Sequence, residues 1–225
     1  MLTMRDHGVG DYAELRDMNE SDVGELTEDD KKCLDELAEE LAAADTSQRF
    51  ALWLLHKHFL PEPGEVFVER VITSPPQVHT SPVDRAAFSP TGLQAIAVRF
   101  DTDVTSGVGL VGMEFTESAD LEPIAPIGPG DEAVLAGLAE RLRSHGKMDR
   151  FGVRLVRDPL ELSDDQVLFE TWDRTRRALD CSVVNDADIP TDQSAASTWR
   201  VEAATDQNGR AAATKWCTAI HCYHS

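Results

Sequence analysis

The sequence predicts an α+β protein made by internal duplication: a helix followed by three or four antiparallel strands, present twice, with the two units related by a pseudo-twofold axis. Three observations lead there. The stretch Arg49–Glu69, RFALWLLHKHFLPEPGEVFVE, returns 101 positions later and without a gap as Arg150–Glu170, RFGVRLVRDPLELSDDQVLFE. An amphipathic helical pattern precedes each copy. Within the second copy, apolar Phe151, Val153 and Leu155 alternate with Gly152 and Arg154, the period of two that marks a strand.

The overlay continues on both sides of this stretch. Leu34, Leu37, Ala38 and Leu41 fall on Leu135, Leu138, Ala139 and Leu142; further on, Ser81, Val83 and Arg99 fall on Ser182, Val184 and Arg200. A solenoid needs at least three repeats, so two copies indicate a pair of units packed together. The expected organisation is an acidic, mostly disordered tail over 1–29, a first repeat unit over 30–104, a linker over 105–129, a second unit over 130–203 and a Cys/His-bearing C-terminal tail over 204–225.

Residues 1–29 carry Glu14, Asp17, Glu20, Asp22, Glu25 and Asp29 and few large apolar side chains, which is why they read as a tail. Thr27 with Asp30 has capping-box spacing and opens the first helix. Cys33, Leu34, Leu37 and Leu41 then form one apolar face, with Cys33 as a small core residue. The second helix begins at Asp131 and ends near Gly146, a suitable residue for the left-handed turn after a helix. FALWLLHKHF is ambiguous by itself, and its copy FGVRLVRD settles it as a strand. The Pro61-Glu62-Pro63-Gly64 and Ser163-Asp164-Asp165 turns lead into EVFVERVI and QVLFETW, each predicted to close an antiparallel hairpin. Further strands are expected at 77–83 and 93–100, and at 178–184 and 198–201. Gly, Pro and acidic residues fill 101–129, where 108–115 can add one more strand.

The chain has 225 residues, 41% of them hydrophobic, and a formal net charge of −20. That charge opposes a nucleic-acid or anionic-membrane partner. The first residues lack the basic and apolar regions of a signal peptide, and no apolar run is long enough to span a bilayer. Four cysteines without a secretory signal point to a reducing compartment, so a cytoplasmic location is expected.

Three groups could carry chemistry. His56 and His58, at i and i+2 on a strand, would share a face with Phe50, Leu52 and Leu54. Two imidazoles on one face are the start of a transition-metal site, with zinc, iron or copper as the expected ion. His79, Glu65 and Glu69 are candidate further donors, and the aligned positions Arg157, Pro159 and Asp180 in the second copy place this site in the first unit alone. Cys217, His221, Cys222 and His224 near the C-terminus form a second ligand cluster, which Cys181 could join; a disulfide from Cys181 to Cys217 or Cys222 is the alternative. Glu69 and Glu170, with Arg49 and Arg150, read as an ion pair within each unit, or as paired carboxylates for acid–base catalysis.

There is no Gly-rich phosphate loop, no G-x-S-x-G and no H-E-x-x-H, and the glycines of 107–112 lack the strand–helix context of a dinucleotide site. Two functions are left. One is a metal-binding protein, extending to a metal-dependent enzyme acting on a small molecule. The other is a non-catalytic acidic domain that binds a protein partner or forms a homodimer.

Overall fold

The computed structural model describes residues 1–18, 23–104, 106–121, 123–190, 194–202 and 211–220. In chain order the elements are β1 (Leu2–Asp6), α1 (Val9–Ala13), α2 (Glu28–Ala43), β2 (Phe50–Leu54), β3 (Glu65–Thr73), β4 (Pro76–Asp84), β5 (Leu93–Phe100), β6 (Val108–Glu117), α3 (Ser118–Leu121), α4 (Glu132–His145), β7 (Phe151–Leu155), β8 (Gln166–Asp173), β9 (Ala178–Asn185), β10 (Ser194–Glu202) and β11 (Ala212–Ile220).

These eleven strands form one sheet in the order β1-β6-β3-β4-β9-β8-β11-β10-β2-β7-β5, and a further β5·β6 pairing closes ten of them into a barrel, with β1 added beside β6. The sheet is mixed: β1·β6, β3·β6 and β8·β11 are parallel and the remaining pairs antiparallel. This overturns the expected α+β class. The period-two pattern locates the strands, but it says nothing of which edges meet, and here the edges of one half close on those of the other, leaving neither half a sheet of its own. Closure removes the exposed edges that two separate small sheets would present.

The offset of 101 nevertheless reappears in the register. At one pairing between the halves, β2·β7, Leu52 faces Val153; at another, β4·β9, His79 faces Asp180.

The helices form as their sequences predict. Thr27 Oγ1 accepts from the Asp30 amide at 3.1 Å and the Thr27 amide donates to Asp30 Oδ2 at 2.9 Å, a reciprocal cap on α2. Gly146, at φ 64°, ends α4 in the left-handed conformation. The two long helices lie against each other, joined at the surface by His145 Nε2 and Glu36 at 3.1 Å. Their apolar faces cover one side of the barrel wall, where Leu34, Leu37, Leu135 and Leu138 share a core with Phe50, Leu52, Leu54, Phe151 and Val153. Cys33 belongs to this core, and its burial pushes the thiol up to about 12.

Every residue of β2 is buried because the strand is covered on both faces. Phe50, Leu52 and Leu54 point outward under the helices, while Trp53 points into the barrel with Phe67, Val111 and Met113.

The acidic start, expected as a tail, is structured through residue 18. β1 runs parallel to β6. Tyr12 and Leu15 pack on Trp53 and Phe67 inside the barrel, and the Tyr12 hydroxyl donates to the Met113 carbonyl at 2.9 Å. Asp11, buried, receives Arg5 at 2.7 Å and Arg99 at 2.5 Å. Counting acidic residues misses this, because Tyr12, Leu15 and Met18 are few but all buried. Each contributes roughly 1.5–3 kcal/mol on burial. Deleting residues 2–18 is therefore expected to lower the thermal midpoint by more than about 10 °C at the sensitivity usual for a chain of this size; calorimetry of the truncated chain checks this.

Candidate metal centre

β2 ends at Leu54, and its alternation ends with it. Leu55 donates its amide to the Arg150 carbonyl at 2.9 Å and packs inward with Trp53. Lys57 forms a single parallel bridge to Asp17. His56 and His58, on either side of that bridge, both turn into the barrel. The predicted shared face is present, but it is the inner one, opposite to that of Phe50, Leu52 and Leu54.

Both imidazoles are buried, and their Nε2 atoms lie 3.1 Å apart. They converge on Glu170, on β8 across the cavity: His56 Nε2 is 3.2 Å from Oε1, and His58 Nε2 makes a very short contact with the same oxygen. His56 Nδ1 bonds to the Leu54 carbonyl at 2.8 Å. That bond uses the ring's proton and turns the Nε2 lone pair toward the centre. His58 stacks at a tilt on Trp172, 4.3 Å between ring centres. Two nitrogens and a carboxylate oxygen therefore meet at one point. Around an ion bonded at 2.0–2.1 Å, tetrahedral ligands stand roughly 3.3 Å apart, close to the two separations made by His56 Nε2; the His58–Glu170 contact is shorter and would have to open to admit an ion. His56, His58 and Glu170 form a group able to hold a metal ion.

The protonation equilibria reflect this convergence. Burial works to lower the His56 pKa, but its bond to Glu170, the Glu170 charge and the Leu54 carbonyl outweigh it and raise it. Burial, with the neighbouring His56, pushes His58 down. Burial works to raise Glu170, yet the charges and hydrogen bonds of His58 and His56 hold its carboxyl well below the usual range.

A second polar group faces the first across the interior. Arg154 makes very short contacts with Glu69 and Glu114, and Arg157 Nη1 lies 2.7 Å from Glu69 Oε1. In the 101-residue overlay Glu69 corresponds to Glu170 and Arg157 to His56. Each glutamate thus meets the basic residue of the other half, arginine in one case and histidine in the other.

Cys217 Sγ lies 3.7 Å from Glu170 Oε2, and Cys181 sits beside them; its thiol is pushed well up by its hydrogen bond with Cys217 and by burial. The barrel wall is irregular where these groups enter. Register shifts occur between Ala95 and Val98 on β5, opposite Glu114, and between Ala196 and Trp199 on β10, opposite Cys217. Such bulges re-aim side chains. The cavity has an empty volume of about 870 Å³ with the open solvent at its mouth included. Its remaining walls are mostly apolar, among them Trp53, Phe59, Phe67, Leu168 and Leu179.

The other predicted ligands lie elsewhere. His79 points outward from β4 and bonds through Nδ1 to Asp180 Oδ1 at 2.7 Å. Glu65 pairs with Arg177. Arg49 pairs with Asp131 at 2.6 Å and Arg150 approaches Asp30, so the expected ion pairs to Glu69 and Glu170 within each unit do not form. The single-unit metal site is corrected as well, since Glu170 comes from the other half. Cys33, Cys181 and Cys217 are free, so the Cys181–Cys217 disulfide is absent. His221, Cys222 and His224 lie outside the described residues. Glu114, Arg154 and Arg157 were not singled out as an interior cluster. The exchange of His56 for Arg157 in the overlay was the available signal, because two cations at equivalent places imply a buried anion before each. Among the described residues no helix is long and apolar enough to cross a membrane.

Compared with protein families, curated proteins and solved structures, the chain finds no match.

Two predictions follow from the geometry. Glu69→Gln leaves the buried Arg157 and the half-buried Arg154 with less than their charge in carboxylates; a broken buried pair costs roughly 3–5 kcal/mol, measurable by denaturant unfolding. Glu170, with its pKa depressed by folding, contributes stability that is complete above its unfolded value near 4.3 and is lost as pH falls below it. In metal-free protein, Glu170→Gln should remove that acid-side loss, a slope of at most about 1.4 kcal/mol per pH unit, in unfolding curves between pH 3 and 7.

Proposed function

We propose that the protein binds a transition metal, zinc, iron or copper, through His56, His58 and Glu170, and uses it as a metal-dependent enzyme on a small molecule held in the barrel. The observation that carries this is the convergence of both Nε2 atoms on Glu170 Oε1, with His56 Nδ1 already committed to the Leu54 carbonyl. Three protein ligands leave coordination positions open, the arrangement of catalytic rather than closed structural sites. An ion there would supply Lewis acidity toward an oxygen of the bound molecule.

The chain's own residues set what can bind. Trp53, Phe59, Phe67 and Leu168 exclude water from the walls and favour an apolar body. Arg154 and Arg157 are matched by Glu69 and Glu114, so neither is left over for a substrate phosphate or carboxylate. The preferred substrate is therefore neutral and largely apolar, with one polar group aimed at His56, His58 and Glu170. Neither nucleic acid nor membrane is proposed as a partner.

Elemental analysis of protein expressed without an affinity tag tests the reading. The expected result is about one ion per chain at this centre, lost in a His56→Ala/His58→Ala double variant and kept in Glu69→Gln. Loading should fall as pH drops below about 6, because protonated imidazole cannot bind metal. Equal metal content in the double variant and the parent would move the reading to the acidic interaction or dimerisation domain.

A further inference from the structure

Glu170 presents its two oxygens to two different donor sets. Oε1 faces the histidines, while Oε2 lies 3.7 Å from Cys217 Sγ. Glu170, Cys181 and Cys217 form a donor group of their own, its ligand atoms all within 4.8 Å of one another, and it shares only Glu170 with the histidine group. The arrangement follows from the barrel. β8 lies between β9 and β11; Cys181 is opposite Glu170 on one side, and Cys217 is opposite Leu168, two residues along the same inward face, on the other.

The two thiols are close, yet they are not placed for a disulfide. Their strands are separated by a third, so their backbones stand roughly 9–10 Å apart at ordinary strand spacing. A disulfide needs Cα atoms within about 7 Å. Sulfurs that approach across an intervening strand suit a bridging ion, since metal–thiolate bonds of about 2.3 Å put two ligand sulfurs within 4.8 Å of each other.

We propose that Cys181, Cys217 and Glu170 Oε2 make a second metal site, selective for a thiophilic ion such as zinc or copper(I), and that the Glu170 carboxylate bridges it to the ion on His56 and His58. The inference rests on the reading of the histidine centre because the two sites share Glu170. It makes the barrel interior a two-ion site with unlike ligands: nitrogen and oxygen on one side, sulfur and oxygen on the other.

Anaerobic titration of the metal-free full chain with cobalt(II) separates the possibilities. The expected result is about two ions per chain, with visible d–d bands and a thiolate-to-cobalt charge-transfer band in the near ultraviolet. Cys181→Ser/Cys217→Ser should lose the charge-transfer band and one ion while keeping the other. His56→Ala/His58→Ala should show the converse, keeping the charge-transfer band. Because either pair of variants could disturb folding, thermal unfolding of each metal-free variant accompanies the titration, and the retained ion itself reports an intact barrel. Cobalt bound at one ion per chain without charge transfer overturns the second site and leaves the histidine centre standing. A charge-transfer band that survives Cys181→Ser/Cys217→Ser assigns it to another thiol and also overturns the proposal. Loss of all cobalt in that variant would mean a single mixed site, and no cobalt binding by the parent would sink both readings. An intact mass two hydrogens lower before metal is added would show a disulfide and rule out the thiolate site.

Discussion

Three glutamates, Glu69, Glu114 and Glu170, lie inside the barrel, and none can remain ionised there without a cation beside it. The cost of burying an unpaired carboxylate is several kcal/mol even after the surroundings relax. This constraint organises the interior. Glu69 is met by Arg154 and Arg157, and Glu114 completes the balance of charge. Glu170 is met by two histidines and no arginine. The histidines and thiols of the cavity gather around Glu170.

Closure of the barrel makes both arrangements available. His56 leaves β2 in the first half of the chain, and its carboxylate partner stands on β8 in the second; Arg157 follows β7 and reaches Glu69 on β3. Had each half kept its strands to itself, these contacts across the interior would not exist. The seams at β2·β7 and β4·β9 are thus as important to the site as the ligands themselves. The N-terminal segment adds to the enclosure, with Tyr12 packed against Phe67 at 4.8 Å between ring centres.

Much of the local structure was legible in the sequence. The Thr27–Asp30 cap, the Gly146 terminus, the apolar faces of the two helices and the positions of β2 to β10 follow from side-chain spacing and backbone preference, whereas β1 and β11 lie in stretches expected as tails. The 101-residue offset recurs as register, with Leu52 facing Val153. Closure was not legible, because alternation assigns a face to each residue without saying which strand lies beside it. The histidine pair was found by a rule that gave it the wrong side: alternation counted from Phe50 holds only to Leu54. His79 was misplaced for a related reason. It alternates with Val78 and Thr80, which face inward, so it must face out. Glu170 was noticed through its counterpart Glu69, but its role depends on a contact 114 residues away from His56 in the chain.

The contrast between Glu69 and Glu170 bears on function through one property of their partners. Arginine keeps its charge at any pH a protein experiences, so the Glu69 cluster is fixed in composition as well as in geometry. Histidine gives up its proton near neutrality, and a neutral imidazole offers a lone pair in place of a positive charge. The histidine arrangement is therefore the one whose nitrogens could take a metal ion in place of a proton, and the arginine arrangement is not. The barrel holds both solutions to the same electrostatic problem. The arginine one braces the wall, and the histidine one, beside two thiols and an apolar cavity, leaves room for chemistry.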